Sequence, residues 1–152
     1  MRGAATRATP GTWVSGNRLI TDAGETPTQG GRPVETILVV DDDDRVRVAV
    51  QDMLEMMGYT VLDTGNPRVA LRLVEHLTIH LLLTDLVMPL LGGMELAGRV
   101  AVLSPQTKVL LMSGSIVSDA TARRHPSIAK PFTPDELAER VRHVLAQPAP
   151  CR

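Results

Sequence analysis

From residue 34 onward, short apolar runs alternate with stretches of helical periodicity, and that alternation predicts the elements of a fold. Ile37-Leu38-Val39-Val40 marks a strand over roughly 36–40. Val46, Val50, Met53, Leu54 and Met57 then recur at helical spacing, and Gly58 is placed to stop the helix. Tyr59-Thr60-Val61-Leu62, rich in β-branched and aromatic residues, gives a second strand. Asn66-Pro67 supplies a cap and first turn for a helix whose buried stripe is Ala70, Leu73, Val74 and Leu77. A third strand follows over 79–84, then a helix marked by Leu96, Val100 and Leu103 that stops before Pro105, then a fourth strand over 108–112. Ser127-Ile128-Ala129 is the fifth. Thr133-Pro134-Asp135-Glu136 is a capping box with Pro at the first helical position, ahead of the stripe Leu137, Val141, Val144 and Leu145.

Five strands alternating with helices through short loops predict a parallel sheet covered on both faces. Right-handed crossovers make it an α/β, flavodoxin-like doubly wound five-stranded parallel sheet, a three-layer sandwich. This domain occupies residues 34–147. Residues 1–33 hold six Gly, three Pro, six Thr and only Met1, Trp13, Val14, Leu19 and Ile20 as sizeable apolar groups. That composition buries too little surface to offset the entropy of ordering, so a disordered N-terminal tail is expected there. Residues 148–152 read as a short C-terminal tail, and neither tail has room for an output domain.

Composition narrows the function classes. The 152 residues are 43% hydrophobic and 2% aromatic, so the core must be aliphatic. The net charge of -1 and the lack of any basic stripe argue against nucleic-acid binding. No segment approaches the ~18 apolar residues that a spanning helix needs, and no signal-peptide core is visible. A cytoplasmic protein is the expectation. Cys151 is alone, which excludes an intramolecular disulfide. The four histidines are scattered as surface or packing residues, and no Gly-rich phosphate loop is present.

The chemistry concentrates at strand ends, where open α/β sheets place their ligand sites. The first strand ends in Asp41-Asp42-Asp43-Asp44, the third in Asp85 before Leu86-Val87-Met88-Pro89, the fourth in Ser113-Gly114, and the fifth in Lys130-Pro131-Phe132. In a parallel sheet these meet at one edge. Crowded carboxylates need a cation or raised pKa values, and Mg²⁺, which takes hard oxygen ligands, suits them.

Val39-Val40-Asp41-Asp42-Asp43, Asp85-Leu86-Val87-Met88-Pro89 with Gly93, Leu111-Met112-Ser113-Gly114 and Lys130-Pro131-Phe132 together resemble the receiver domains of response regulators, over about residues 35–147. The resemblance implies a phospho-accepting receiver of a two-component system or phosphorelay. Asp85 would take a phosphoryl group from a histidine kinase or phosphotransfer protein. Asp41, Asp42, Asp85 and the Val87 backbone carbonyl would hold Mg²⁺, Ser113 would donate to the phosphoryl oxygens, and Lys130 would pair with them across a cis Lys130-Pro131 bond. Such a protein is a phosphoacceptor that catalyses only its own phosphotransfer and dephosphorylation, and it signals through phosphorylation-dependent contact with a downstream protein.

Three positions depart from the family pattern. Ser127 stands where the family usually has Tyr or Phe, the stretch from Ser113 to Lys130 is about one helical turn short, and Gly92 replaces a common acid. The first two leave open a receiver used only as a binding scaffold. An Asp-nucleophile phosphohydrolase is the rival enzyme class, but it needs an acid two residues after the nucleophile, where Val87 stands.

Overall fold

The computed structural model describes residues 32–148 continuously and, ahead of them, residues 6–9, 12–15, 18–21 and 28–29. Within the stretch expected to be a disordered tail, β1 (Thr6–Thr9), β2 (Thr12–Ser15) and β3 (Arg18–Thr21) form a small antiparallel sheet, and β4 (Thr28–Gln29) pairs with β5 (Arg32–Pro33). Thr, Val and Ile favour extended backbone. Neither pairing shares a strand with the main sheet.

The main sheet contains β6 (Thr36–Val40), β7 (Thr60–Thr64), β8 (Leu81–Asp85), β9 (Lys108–Ser113) and β10 (Ser127–Ala129). Its order is β10-β9-β8-β6-β7, with every pair parallel. The expected doubly wound sandwich is the observed one. Side chains alternate across β6: Leu38 and Val40 pack toward α2 (Pro67–His76) and α3 (Gly93–Leu103), while Ile37 and Val39 pack toward α1 (Asp44–Met56) and α5 (Pro134–Ala146). Because parallel strands are buried on both faces, their sequences read as unbroken apolar runs. Each fully buried aliphatic side chain contributes about 1.5–3 kcal/mol.

Local grammar sets the helix ends. Asp43 caps α1 by accepting from the Arg45 N–H, and Gly58 follows the helix at φ 95°, a left-handed position that glycine takes without strain. Asn66 caps α2 ahead of Pro67, and Thr133 with Glu136 closes the capping box of α5. Lys130-Pro131 is cis.

One expectation needs correction. β7 runs to Thr64 and not merely to residue 62, because Asp63 and Thr64 stay in register with Val39 and Val40 and are buried. A carboxylate reads as a strand end in sequence, yet Asp63 is paired inside. The fourth helix, α4 (Asp119–Arg124), has only six residues and buries none of them.

Candidate functional site

The carboxyl ends of β6, β8, β9 and β10 bring the expected residues to one edge. Asp41 follows β6 and is fully buried. Its Oδ1 accepts the Asp43 N–H at 2.9 Å, and its Oδ2 accepts Lys130 Nζ at 2.8 Å. Asp42 is exposed beside it. Asp85 ends β8 with its side chain 15% exposed, and Lys130 Nζ lies 3.4 Å from Asp85 Oδ2. The Val87 N–H reaches Asp85 Oδ1 at 3.4 Å. Asp41, Asp42 and Asp85 present oxygens within 4.8 Å of one another. Three carboxylates so disposed form a hard-oxygen donor set that fits Mg²⁺.

The run of four acids is divided between two tasks. Asp41 and Asp42 face the cleft, whereas Asp43 caps α1 and Asp44 pairs with Arg47 one turn on. Ser113 ends β9, and its carbonyl accepts the Lys130 N–H at 2.7 Å, which ties β10 into the site. Its hydroxyl donates to the Ser115 carbonyl at 2.8 Å and accepts the Ser115 N–H at 3.2 Å. In this structure that hydroxyl is engaged with its own loop.

The loop after Asp85 is held close. The Leu86 N–H donates to the Met112 carbonyl and the Gly93 N–H to the Leu86 carbonyl, both at 2.9 Å. A Cβ on Gly93 would lie 2.3 Å from the Asp85 carbonyl oxygen, so only glycine permits this approach. Gly92 caps α3 without a side-chain bond.

Electrostatics follow from burial and crowding. Burial raises the pKa of Asp85, Lys130 pulls it down, and Asp41 adds to the rise. Burial disfavours the Lys130 charge, but its hydrogen bond to Asp41 and the two neighbouring carboxylates outweigh that and raise its pKa. Lys130 is therefore a fixed cation at neutral pH, poised against Asp85.

A family profile described as response regulator receiver domain matches residues 37–142. The chain belongs to the response-regulator receiver family. Receivers of this family are signal transducers of two-component systems in which phosphorylation and Mg²⁺ are typical. The receiver protein CpdR of Brucella abortus is 31% identical over 117 residues, covering 74% of this chain and 98% of CpdR. The transcriptional regulator NtrC of a Bradyrhizobium strain is 31% identical over 121 residues, 76% of this chain. The sensor kinase CckA of Brucella abortus is 33% identical over 118 residues, 72% of this chain. The chain spans 25% of that regulator and 12% of that kinase. Among solved structures, a CheY-like receiver from Methanospirillum hungatei superimposes with TM-score 0.69 at 26% identity, covering 74% of this chain and 94% of that one. The response regulator TrrA of Thermotoga maritima, solved with Mg²⁺ and BeF, gives 0.68 at 28% identity, covering 73% and 99%.

Sequence reading missed Arg47, which lies under the acidic loop. Its Nη1 donates to the Asp41 carbonyl at 2.8 Å and its Nε to Asp63 Oδ2 at 3.2 Å. The available signal was an arginine one turn into a helix that opens with acids. It was not enough, because the partner Asp63 sits 16 positions away. Among the described residues no helix is long and apolar enough to cross a membrane.

Proposed function

We propose that this receiver accepts a phosphoryl group on Asp85 from a phosphohistidine of a kinase or phosphotransfer protein. The observation that carries the reading is Lys130 Nζ, 2.8 Å from Asp41 Oδ2 and 3.4 Å from Asp85 Oδ2. A carboxylate oxygen of Asp85 attacks phosphorus, the P–O bond forms as the P–N bond breaks, and the departing imidazole nitrogen keeps the electron pair and takes up a proton. Attack by an anion on a phosphoryl group requires its repulsion to be offset by charge already in place, which Lys130 provides.

Asp41, Asp42, Asp85 and the Val87 carbonyl would hold Mg²⁺, which when bound supplies positive charge against the phosphoryl oxygens. Ser113, released from Ser115, would donate to one of those oxygens. The acyl phosphate adds about -1.5 to -2 charge, by analogy with other phosphorylated side chains. Apart from its own phosphotransfer and dephosphorylation the protein performs no turnover, and it acts in the cytoplasm on a protein partner. Ser127 has no ring to bury, and α4 buries no residue, so output is read close to Asp85 and not through a packed fourth helix.

Intact-mass measurement after exposure to acetyl phosphate, with and without Mg²⁺, tests the reading. A Mg²⁺-dependent gain of one phosphoryl mass is expected in the native chain and none in Asp85→Asn. Unchanged labelling of Asp85→Asn overturns it.

A further inference from the structure

The cleft carboxylates are held from below as well as from the side. The Asp41 N–H donates to the Thr64 carbonyl at 3.3 Å, its two carboxylate oxygens accept from Asp43 and Lys130, and its carbonyl accepts from Arg47. That carbonyl belongs to the peptide plane shared with Asp42. Rotation of this plane would swing the exposed carboxylate of Asp42 relative to the buried one of Asp41.

Arg47 is itself fixed. Its side chain is 13% exposed, its Nε rests on the buried Asp63, and its Nη2 meets Asp44. Gly65 leaves the space: a Cβ there would lie 2.6 Å from Arg47 Nη1 and 3.4 Å from the Asp41 carbonyl oxygen. Three acceptors at three guanidinium nitrogens make a planar fork that a lysine cannot reproduce.

We infer that Arg47 is a positioning residue for the metal ligands: clamped on Asp63, its guanidinium fixes the Asp41-Asp42 peptide plane and thereby the spacing of the two carboxylates. The inference rests on the reading that Asp41 and Asp42 hold Mg²⁺. It makes a prediction opposite in sign to simple electrostatics. Removing a cation near a divalent-ion site strengthens binding by Coulomb's law, whereas losing a group that orients ligands typically weakens it 10- to 100-fold.

Mg²⁺ affinity of the unphosphorylated full chain, measured by isothermal titration calorimetry beside a thermal melt, decides the matter. Arg47→Met, Arg47→Lys and Gly65→Ala are each expected to weaken Mg²⁺ binding by roughly tenfold. Gly65→Ala changes no charge and its one approach under 3.0 Å is to the Arg47 guanidinium, the Asp41 carbonyl lying at 3.4 Å, so it carries the test if Arg47→Met does not fold. Unchanged or tighter Mg²⁺ binding in Gly65→Ala and Arg47→Lys overturns the inference, even with a lowered melting temperature, because that pattern is a purely structural role. If the native chain binds no Mg²⁺, or Asp42→Asn binds it equally well, the metal reading itself fails and the inference falls with it.

Discussion

The acidic edge and the α4 segment leave the same sheet edge and are built in opposite ways. Asp41 is fully buried, with its N–H, its carbonyl and both carboxylate oxygens engaged. Six-residue α4 buries nothing; the Ser118 side chain caps it by accepting the Thr121 N–H, and the Ser118 and Thr121 hydroxyls lie 3.0 Å apart. Phosphoryl transfer needs groups held in place before the reaction. A contact surface for a partner needs no such rigidity, and segments with few buried contacts open at low cost. The difference teaches that this receiver invests its order in the chemistry and little in the helix that follows it.

The largest expected effect separates the two regions by stability. Leu137 is fully buried under the sheet, so Leu137→Ala should cost about 2–5 kcal/mol in urea unfolding. Ala122 is exposed on α4, and Ala122→Gly should cost less than about 1 kcal/mol. Equal costs would show that α4 is as integral to the domain as α5.

Within the acidic edge, Asp42→Asn should raise the Mg²⁺ concentration for half-maximal labelling by about tenfold. It should not lower the melting temperature of the metal-free chain, since it relieves like-charge crowding. A metal requirement that stays unchanged would remove Asp42 from the ligand set.

Amide hydrogen exchange with and without beryllofluoride sharpens the contrast in response. Protection should rise in the loops containing Asp85, Ser113 and Lys130. Changes confined to residues 116–128 and 134–146, with the Asp85 and Ser113 loops unaffected, would reverse the comparison and restore a helix-centred output.

A smaller effect comes from the opposite end of the sheet. His80 Nδ1 accepts the Thr36 N–H at 2.9 Å, so the ring is neutral when folded. Burial lowers its pKa from 6.5, Glu35 opposes this and Lys108 adds to it. The unfolded chain therefore takes up a proton that the folded one resists, and stability is full above about pH 6.5 and declines as pH falls below it. His125 is lowered by burial and Arg124 and acts in the same direction. The loss of melting temperature between about pH 7.5 and 5.5 should shrink in His80→Gln without vanishing.

The smallest effect concerns the N-terminal stretch. Deleting residues 1–33 should leave labelling unchanged and the melting temperature nearly so, because its strands pair apart from the main sheet. A large drop would place that stretch among the supports of the domain.

What the chain determined by itself is local. Asn66-Pro67, Gly58 and Thr133 through Glu136 mark helix ends within four residues of sequence, and the apolar runs mark strands that are buried on both faces. The acids at the ends of those runs followed from the same pattern, since a parallel topology brings strand ends together whatever their order. Other features depend on residues far apart in the chain. Asp63 is buried inside β7 with Arg47 of α1 against its Oδ2, and Lys130 meets Asp41 over 89 positions. The Ser113 hydroxyl turns to the Ser115 backbone just after β9, donating to its carbonyl and accepting its N–H. Periodicity records which face of an element is buried. The partner of a buried charge is chosen by three-dimensional proximity, so only the tertiary structure decided it.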